Sequence, residues 1–485
     1  MKAVTFTGLY WFLLLNATAQ QASSKIYQHL HSCKIGGITD SVLCGTYPVR
    51  ENREAATGRM IDLNIVVVPA LHRNARSTPV FYLEGGPGVA ATNNASFFAD
   101  TSVPYRKYHD IVLIDIRGTG GSNGLNCPPL QVKQDLNQQF EEMYPKAAVR
   151  ACFDFLSKKA DLRQYTTTNI VKDIESVRKW LGYGKINIYG LSYGTRVALV
   201  YLKMFPAAIE SCILWSPIPT YGKMPLYHAK FVQNSLNHLF DDCRNDSACY
   251  YSFPSFETEF NSLYKKHKDT LFSFKSLNNA GDTARINFSW NVFFTKIRSL
   301  MYTPTGMRQI PYIVHQASLG NLDPFINLYP RGQDTSNFIA EGLYLCVTCA
   351  EDVPYINPKK ISALTRGTFM GTYRIDRQKQ ACLQWPRGKI PADYFSPVKT
   401  DIPVLIFSGG FDPVTPTLQA KEIASHLSHS TLVIIPQMSH LFDGLSHPEC
   451  FDELCIRFID QPMHPALSLD CIRDMKPGPY KLHSE

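Results

Sequence analysis

The chain has 485 residues, 45% hydrophobic and 19% charged, with a formal net charge of +8. These proportions are ordinary for a soluble globular protein, and the length allows a large core plus an insertion. No block of Lys and Arg gathers the modest positive charge, so it reads as a solvated surface and argues against a nucleic-acid interface.

Residues 1–19 read as a secretory signal: Lys2 supplies the positive start, Leu9 to Leu15 anchor the apolar centre, and Ala17-Thr18-Ala19 fits the small-residue cleavage rule. The apolar run is short for a bilayer, and no later stretch reaches about 18 apolar residues. The expectation is a secreted or periplasmic protein with no stable membrane insertion after cleavage; an uncleaved N-terminal anchor is the alternative. Cysteine usage agrees with export. Of 13 cysteines, Cys212 lies in the apolar run Ser211 to Ser216 and is expected as a buried free thiol. The other twelve, an even number, suit an oxidising compartment. Cys33 with Cys44, Cys127 with Cys152, and Cys243 with Cys249 are short-range candidates. The partners of Cys346, Cys349, Cys382, Cys450, Cys455 and Cys471 stay open. Zinc at Cys346-x-x-Cys349 lacks a second pair or a nearby histidine, so neither metal nor cofactor is expected. The sequons at Asn94, Asn245 and Asn287 are about as many as chance supplies.

Strand and helix signals alternate from about residue 60. Ile61, Leu63, Ile65 and Val67 recur with period two, and Val80 to Leu83 and Ile111 to Ile114 are short apolar runs typical of buried parallel strands. Ile170, Val171, Ile174, Val177, Trp180 and Leu181 share a helical face, started by Thr166 to Thr168. A strand follows at Ile186 to Tyr189, a helix at Thr195 to Phe205, and a strand around Ile213. This succession predicts an α/β fold, a mostly parallel sheet flanked by helices. The rhythm breaks after Pro217-Ile218-Pro219. Residues 221–400 read as a largely helical cap domain inserted between core parts 20–220 and 401–485. The second core part opens with a strand at Val404 to Phe407, a helix near Leu418 to Leu427 and a last strand at Leu432 to Ile435.

Between the strand ending at Tyr189 and its following helix stands Gly190-Leu191-Ser192-Tyr193-Gly194. A G-x-S-x-G turn in that setting is a nucleophile elbow, which lifts the serine oxygen above the sheet edge and frees the next N–H for an oxyanion. A serine hydroxyl needs a base, and the base needs a carboxylate to fix its tautomer. Asp412 lies just past the strand Val404 to Phe407 and His440 just past the last strand, in the chain order serine, acid, histidine. His447 is the competing base, on a longer loop. Glu84-Gly85-Gly86-Pro87-Gly88 follows the strand Val80 to Leu83; Gly85 and Gly86 are candidates for one oxyanion N–H and Tyr193 for the other.

Glu84 to Gly88, Asp115-Ile116-Arg117-Gly118-Thr119-Gly120-Gly121-Ser122, the elbow, and Asp412-Pro413-Val414-Thr415-Pro416 together resemble the prolyl-iminopeptidase and tripeptidyl-aminopeptidase-like branch of α/β hydrolases. Cys382-Leu383-Gln384-Trp385-Pro386 is similar to the C-terminal module of the latter group. The likeness covers roughly residues 45–475, and several motifs in order are far more specific than one. It implies a secreted serine exopeptidase with Ser192 as nucleophile, Asp412 as acid and His440 as base, and a bracing role for Asp115 to Ser122. Glu84 stands where prolyl iminopeptidases usually carry His, Ile116 where Gln is usual, and Leu441 where Gly is frequent. These departures bear on substrate preference more than on hydrolysis. An aminopeptidase must also bind the substrate's α-ammonium, for which Glu341, Glu351 and Asp352 in the insertion are candidates. The partner is then a peptide or small acyl substrate. An esterase on the same machinery is the alternative. A non-catalytic binding protein is expected to have lost Ser192, His440 or the glycine loop, and all are present.

Overall fold

The structure is a computed structural model. It describes residues 27–36, 42–73, 77–131, 139–277, 283–328, 339–465 and 467–483. The signal-like residues 1–19 lie outside them.

Eleven strands are present among these residues: β1 His31–Cys33, β2 Val42–Arg50, β3 Met60–Val68, β4 Val80–Leu83, β5 Ile111–Ile114, β6 Ile186–Leu191, β7 Ile209–Trp215, β8 Leu271–Leu277, β9 Thr283–Ser289, β10 Val404–Gly409 and β11 Ser430–Ile435. Nine form one sheet in the order β1-β2-β3-β5-β4-β6-β7-β10-β11. The six strands from β5 to β11 in that order run parallel, and β1, β2 and β3 extend the edge antiparallel. Every residue of β4, β5, β6 and β10 is buried, because helices cover both faces of the sheet. The α/β expectation holds. The edge strands β1 and β2 were not anticipated, since β2 contains Gly45 and Pro48 and half-exposed positions that break both strand patterns.

Two helices set the middle of the sheet. Thr167–Trp180 begins where the Thr166 side chain accepts from the Asn169 N–H, and it buries Ile170, Val171, Ile174 and Val177. Tyr193–Met204 runs back from the elbow with every residue from Tyr193 to Leu202 buried, between the sheet and the layers around it. Between β7 and β10 lie the helices Met224–Asn245, Phe256–His267, Trp290–Leu300, Ile310–Ser318, Glu341–Glu351 and Tyr373–Cys382. Most of this segment packs around its own aromatic cluster, which includes Phe260, Phe288, Trp290 and Phe293. It is not wholly helical: β8 and β9 form an antiparallel hairpin whose Phe272, Ile286 and Phe288 are buried in that cluster. Nor is it wholly separate. Leu343, Leu345, Val347, Trp385 and Tyr394 pack into the cluster of the main sheet. No helix among the described residues is long and apolar enough to cross a membrane.

Five disulfides join Cys33–Cys44, Cys127–Cys152, Cys243–Cys249, Cys349–Cys382 and Cys450–Cys471. Cys212 is a buried free thiol as expected. Cys346 and Cys455, whose partners the sequence leaves open, are also free and buried. Cys346 accepts from the Trp385 indole N–H at 3.3 Å, and such thiols behave as small apolar side chains. Cys349 is bonded to Cys382, which removes it as a zinc thiolate.

Candidate active site

The elbow is built by backbone crowding. A Cβ on Gly194 would lie 2.0 Å from the Leu83 carbonyl oxygen, so helix and strand β4 meet only if this residue is glycine. Ser192 itself sits at φ 53° and ψ −116°, a conformation that costs a non-glycine residue about 1–3 kcal/mol and holds its side chain off the helix. The loops after β10 and β11 approach as closely: a Cβ on Gly409 would lie 2.0 Å from the Ser439 carbonyl oxygen. That contact sets Asp412 beside His440.

The structure brings Ser192, His440 and Asp412 together from chain positions far apart. His440 Nε2 is 3.0 Å from Ser192 Oγ, and His440 Nδ1 is 2.9 Å from Asp412 Oδ2. All three are buried, at 8%, 4% and 3% exposure. Asp412 Oδ1 accepts from the Val414 and Thr415 N–H groups at 2.7 and 2.8 Å, and Oδ2 also accepts from the Thr415 hydroxyl at 2.7 Å. Burial alone would raise the Asp412 carboxyl; the His440 charge and these hydrogen bonds outweigh it and hold the carboxyl below its usual range. His447 is exposed and bonds to Glu449, away from Ser192.

The glycine loop lies against the serine, with a Cβ on Gly85 falling 3.2 Å from Ser192 Cβ. Its donors differ from expectation. The Gly85 N–H is engaged by Glu84 Oε1 at 2.6 Å, so Gly85 does not offer a free donor. Glu84 Oε2 accepts from the Tyr82 hydroxyl and the Asn94 amide at 2.9 and 2.5 Å, which places the sequon residue Asn94 in the cavity wall. The N–H groups of Gly86 and Tyr193 have no acceptor among the described residues. Asp115 to Ser122 stands behind the site. Asp115 accepts from Asn64, Thr92 and Gly121, and Arg117 forks onto Asp173 at 2.6 and 2.8 Å; none of these side chains lines the cavity.

Ser192 and His440 open into a cavity of about 660 Å³ between the sheet and the inserted segment. Of the three acidic residues expected to face a substrate ammonium, only Asp352 lines it, and Arg196 holds that carboxylate in a two-point ion pair at 3.0 and 3.1 Å. Glu351 is corrected to a structural role: it accepts from the Thr167 N–H and hydroxyl, both at 2.7 Å, and from the Tyr394 hydroxyl at 2.5 Å. Glu341 heads the helix Glu341–Glu351 outside the cavity wall, with Oε2 buried and unpartnered. Burial pushes its carboxyl up to about 7. The sequence reading missed Trp215, His228, Arg298, Tyr302 and Arg374, all of which line the cavity. They come from β7 and from separate parts of the insertion, and no local pattern announces their meeting. Tyr302 packs edge-on against His440, with ring centres 5.2 Å apart.

The model of the α/β hydrolase fold family matches residues 78–442. Serine protease Hip1 of Mycobacterium tuberculosis is 22% identical over 479 residues, covering 90% of this chain and 88% of that protein. Tripeptidyl aminopeptidase of Streptomyces lividans is 27% identical over 180 residues, 33% of this chain and 32% of that one. Proline iminopeptidase of Neisseria gonorrhoeae is 28% identical over 141 residues, 29% of this chain and 33% of that one. Both groups that the motifs resemble are therefore among the relatives. With the parallel sheet, the elbow after β6 and this match, the chain belongs to the α/β-hydrolase fold family.

Proposed function

We propose that the protein is an exported serine exopeptidase that cuts short peptides through an acyl-enzyme. The observation that carries this is His440 hydrogen-bonded on one side to Ser192 and on the other to Asp412, inside a cavity. His440 Nε2 takes the proton as Ser192 Oγ attacks the carbonyl carbon, and Asp412 holds the Nδ1–H tautomer and the imidazolium that forms. The oxyanion meets the N–H groups of Gly86 and Tyr193. His440 then protonates the leaving amine, and water that it activates releases the acyl group. A cavity of about 660 Å³ suits a ligand of a few residues rather than a folded chain. The names of the relatives support peptide over ester as substrate. Five disulfides support an oxidising compartment, in keeping with the signal-like start of the chain.

A fluorophosphonate probe tests the nucleophile. The wild type should label and Ser192→Ala should not, with turnover lowered roughly a millionfold. Equal labelling of both proteins would exclude Ser192. A panel of free and N-blocked peptides beside simple esters tests the substrate class. Far better turnover of blocked peptides or esters than of free peptides would sink the exopeptidase reading.

A further inference from the structure

Two guanidiniums, that of the buried Arg298 and that of the half-buried Arg374, line the cavity without a counter-ion. Arg298, on the helix Trp290–Leu300, is 4% exposed; it donates Nη2 to the Tyr302 hydroxyl at 3.0 Å, and its Nε has no acceptor. Arg374, on the helix Tyr373–Cys382, donates Nη2 to the Tyr344 hydroxyl at 3.0 Å, and its Nε is likewise unpartnered. Neither makes an ion pair among the described residues. His228, 3% exposed and also in the cavity wall, has an unpartnered Nδ1. Burial first, and then the charges of Arg374, Arg298 and His440, push this imidazole well below its usual range, so it is neutral and adds no counter-charge.

Two other buried arginines are paired with carboxylates. Arg117 is forked onto Asp173, and Arg196 onto Asp352. Of the four carboxylates that share the cavity wall, three are engaged elsewhere, Asp352 with Arg196, Glu84 with Gly85, Tyr82 and Asn94, and Asp452 with the Tyr105 hydroxyl at 2.7 Å; the fourth, Asp443, is exposed and makes no ion pair with either arginine among the described residues. Charge buried beside like charge, with hydroxyl acceptors alone, is costly unless a ligand supplies the anion. A carboxylate fits, because a planar guanidinium presents paired N–H donors to its two oxygens.

We propose that Arg298 and Arg374 bind a carboxylate of the substrate, either an Asp or Glu side chain or the free α-carboxylate of a short peptide. The site lies within one side chain of the chemistry: the Tyr302 ring is 5.2 Å from the His440 ring and 5.1 Å from the Arg298 guanidinium carbon. A bound carboxylate therefore sits on the far side of the Tyr302 ring from His440, in the same cavity as Ser192. The inference rests on the serine-peptidase reading and adds to it the charge of the substrate.

The test is a set of matched short peptides, one pair differing only as Glu against Gln and another only as C-terminal acid against amide. Cleavage by wild type, Arg298→Gln and Arg374→Gln is followed by chromatography as kcat/KM. The wild type should favour the anionic member of one pair by roughly 10- to 100-fold, and each variant should bring that ratio toward one. The pair that shows the preference tells side chain from α-carboxylate. Equal rates within both pairs, or a preference undiminished in both variants, would overturn the inference. Should the variants fail to fold, inhibition of the wild type by glutarate against glutaramide decides: the diacid alone should compete, and equal effects would overturn it. Fluorophosphonate labelling separates the two levels. A wild type that labels yet shows no anionic preference loses only this inference, whereas one that does not label loses the serine-peptidase reading.

Discussion

At the scale of single residues, the site is a problem in holding one proton in the right place. Asp412 receives four donors, from Val414, Thr415 twice and His440, and these keep a buried carboxyl ionised where burial alone would neutralise it. Replacing Asp412 with Asn keeps the shape but puts an amide donor opposite His440 Nδ1, which favours the tautomer with its proton on Nε2, facing Ser192. Asp412→Asn should therefore lower kcat by roughly 10⁴ with little change in KM. A loss below tenfold in steady-state kinetics would remove Asp412 from the proposed mechanism. The sign of its pH effect follows. Its folded carboxyl titrates below the unfolded value near about 4, so its stabilising contribution stands above that pH and is lost only as pH falls through the lower folded value. Any decline in activity at pH 5 to 6 then belongs to another group. The convergence of Ser192, His440 and Asp412 was legible in the sequence because chain order and strand ends constrain them. Glu351 was misread for the opposite reason: what decides its role is Thr167, 184 positions away, and nothing near Glu351 signals that contact.

At the scale of elements, what could be read depended on how the apolar residues are arranged. The strands β4, β5, β6 and β10 are continuous apolar runs bounded by loops, and the elbow between β6 and its helix follows from two glycines at fixed spacing. The hairpin β8–β9 carried the period-two signal in Phe272, Phe274, Ile286 and Phe288, but the helices on either side dominated the reading of that region. The helix Glu341–Glu351 poses a sharper question, because it begins with a carboxyl whose Oε2 is buried and unpartnered. Burial raises that carboxyl from 4.5 to about 7, against the pull of the Glu341 and Cys127 N–H groups. Between those two values the folded state binds more protons than the unfolded chain, so stability should fall as pH rises from about 5 and level off above about 7. The size is about 1–3 kcal/mol after allowing for partial exposure. Glu341→Gln removes the ionisable group and should flatten the profile. Urea unfolding at pH 5 and pH 8 checks this: wild type should lose more stability than Glu341→Gln between the two, and identical losses would show that Glu341 is not the group responsible.

At the scale of the whole molecule, the cavity exists because an inserted layer with its own aromatic cluster closes over the C-terminal ends of the parallel strands. Such a layer has to be fixed in place if a few side chains are to converge on Ser192, and the disulfides divide by whether they take part. Cys349 and Cys382 lie 33 positions apart, on the helices Glu341–Glu351 and Tyr373–Cys382, which carry Tyr344, Val347, Thr348 and Arg374 into the cavity wall. Cys33–Cys44 instead closes 11 positions at the far edge of the sheet, between β1 and β2. Loop entropy sets both contributions at roughly 3 kcal/mol, with the longer loop ahead by about 1 kcal/mol, so stability alone hardly distinguishes them. Activity should. Replacing Cys349 and Cys382 together by Ala lets the two wall helices shift, and a misplacement of about 1 Å in positioning groups costs on the order of 100-fold in rate. The same double replacement at Cys33 and Cys44 should lower the urea midpoint comparably yet leave kcat/KM on a short peptide within about twofold. The comparison is made at a temperature where both variants remain folded by circular dichroism. Equal activity losses in the two variants would mean that general loosening, rather than the seating of the inserted layer, governs the site.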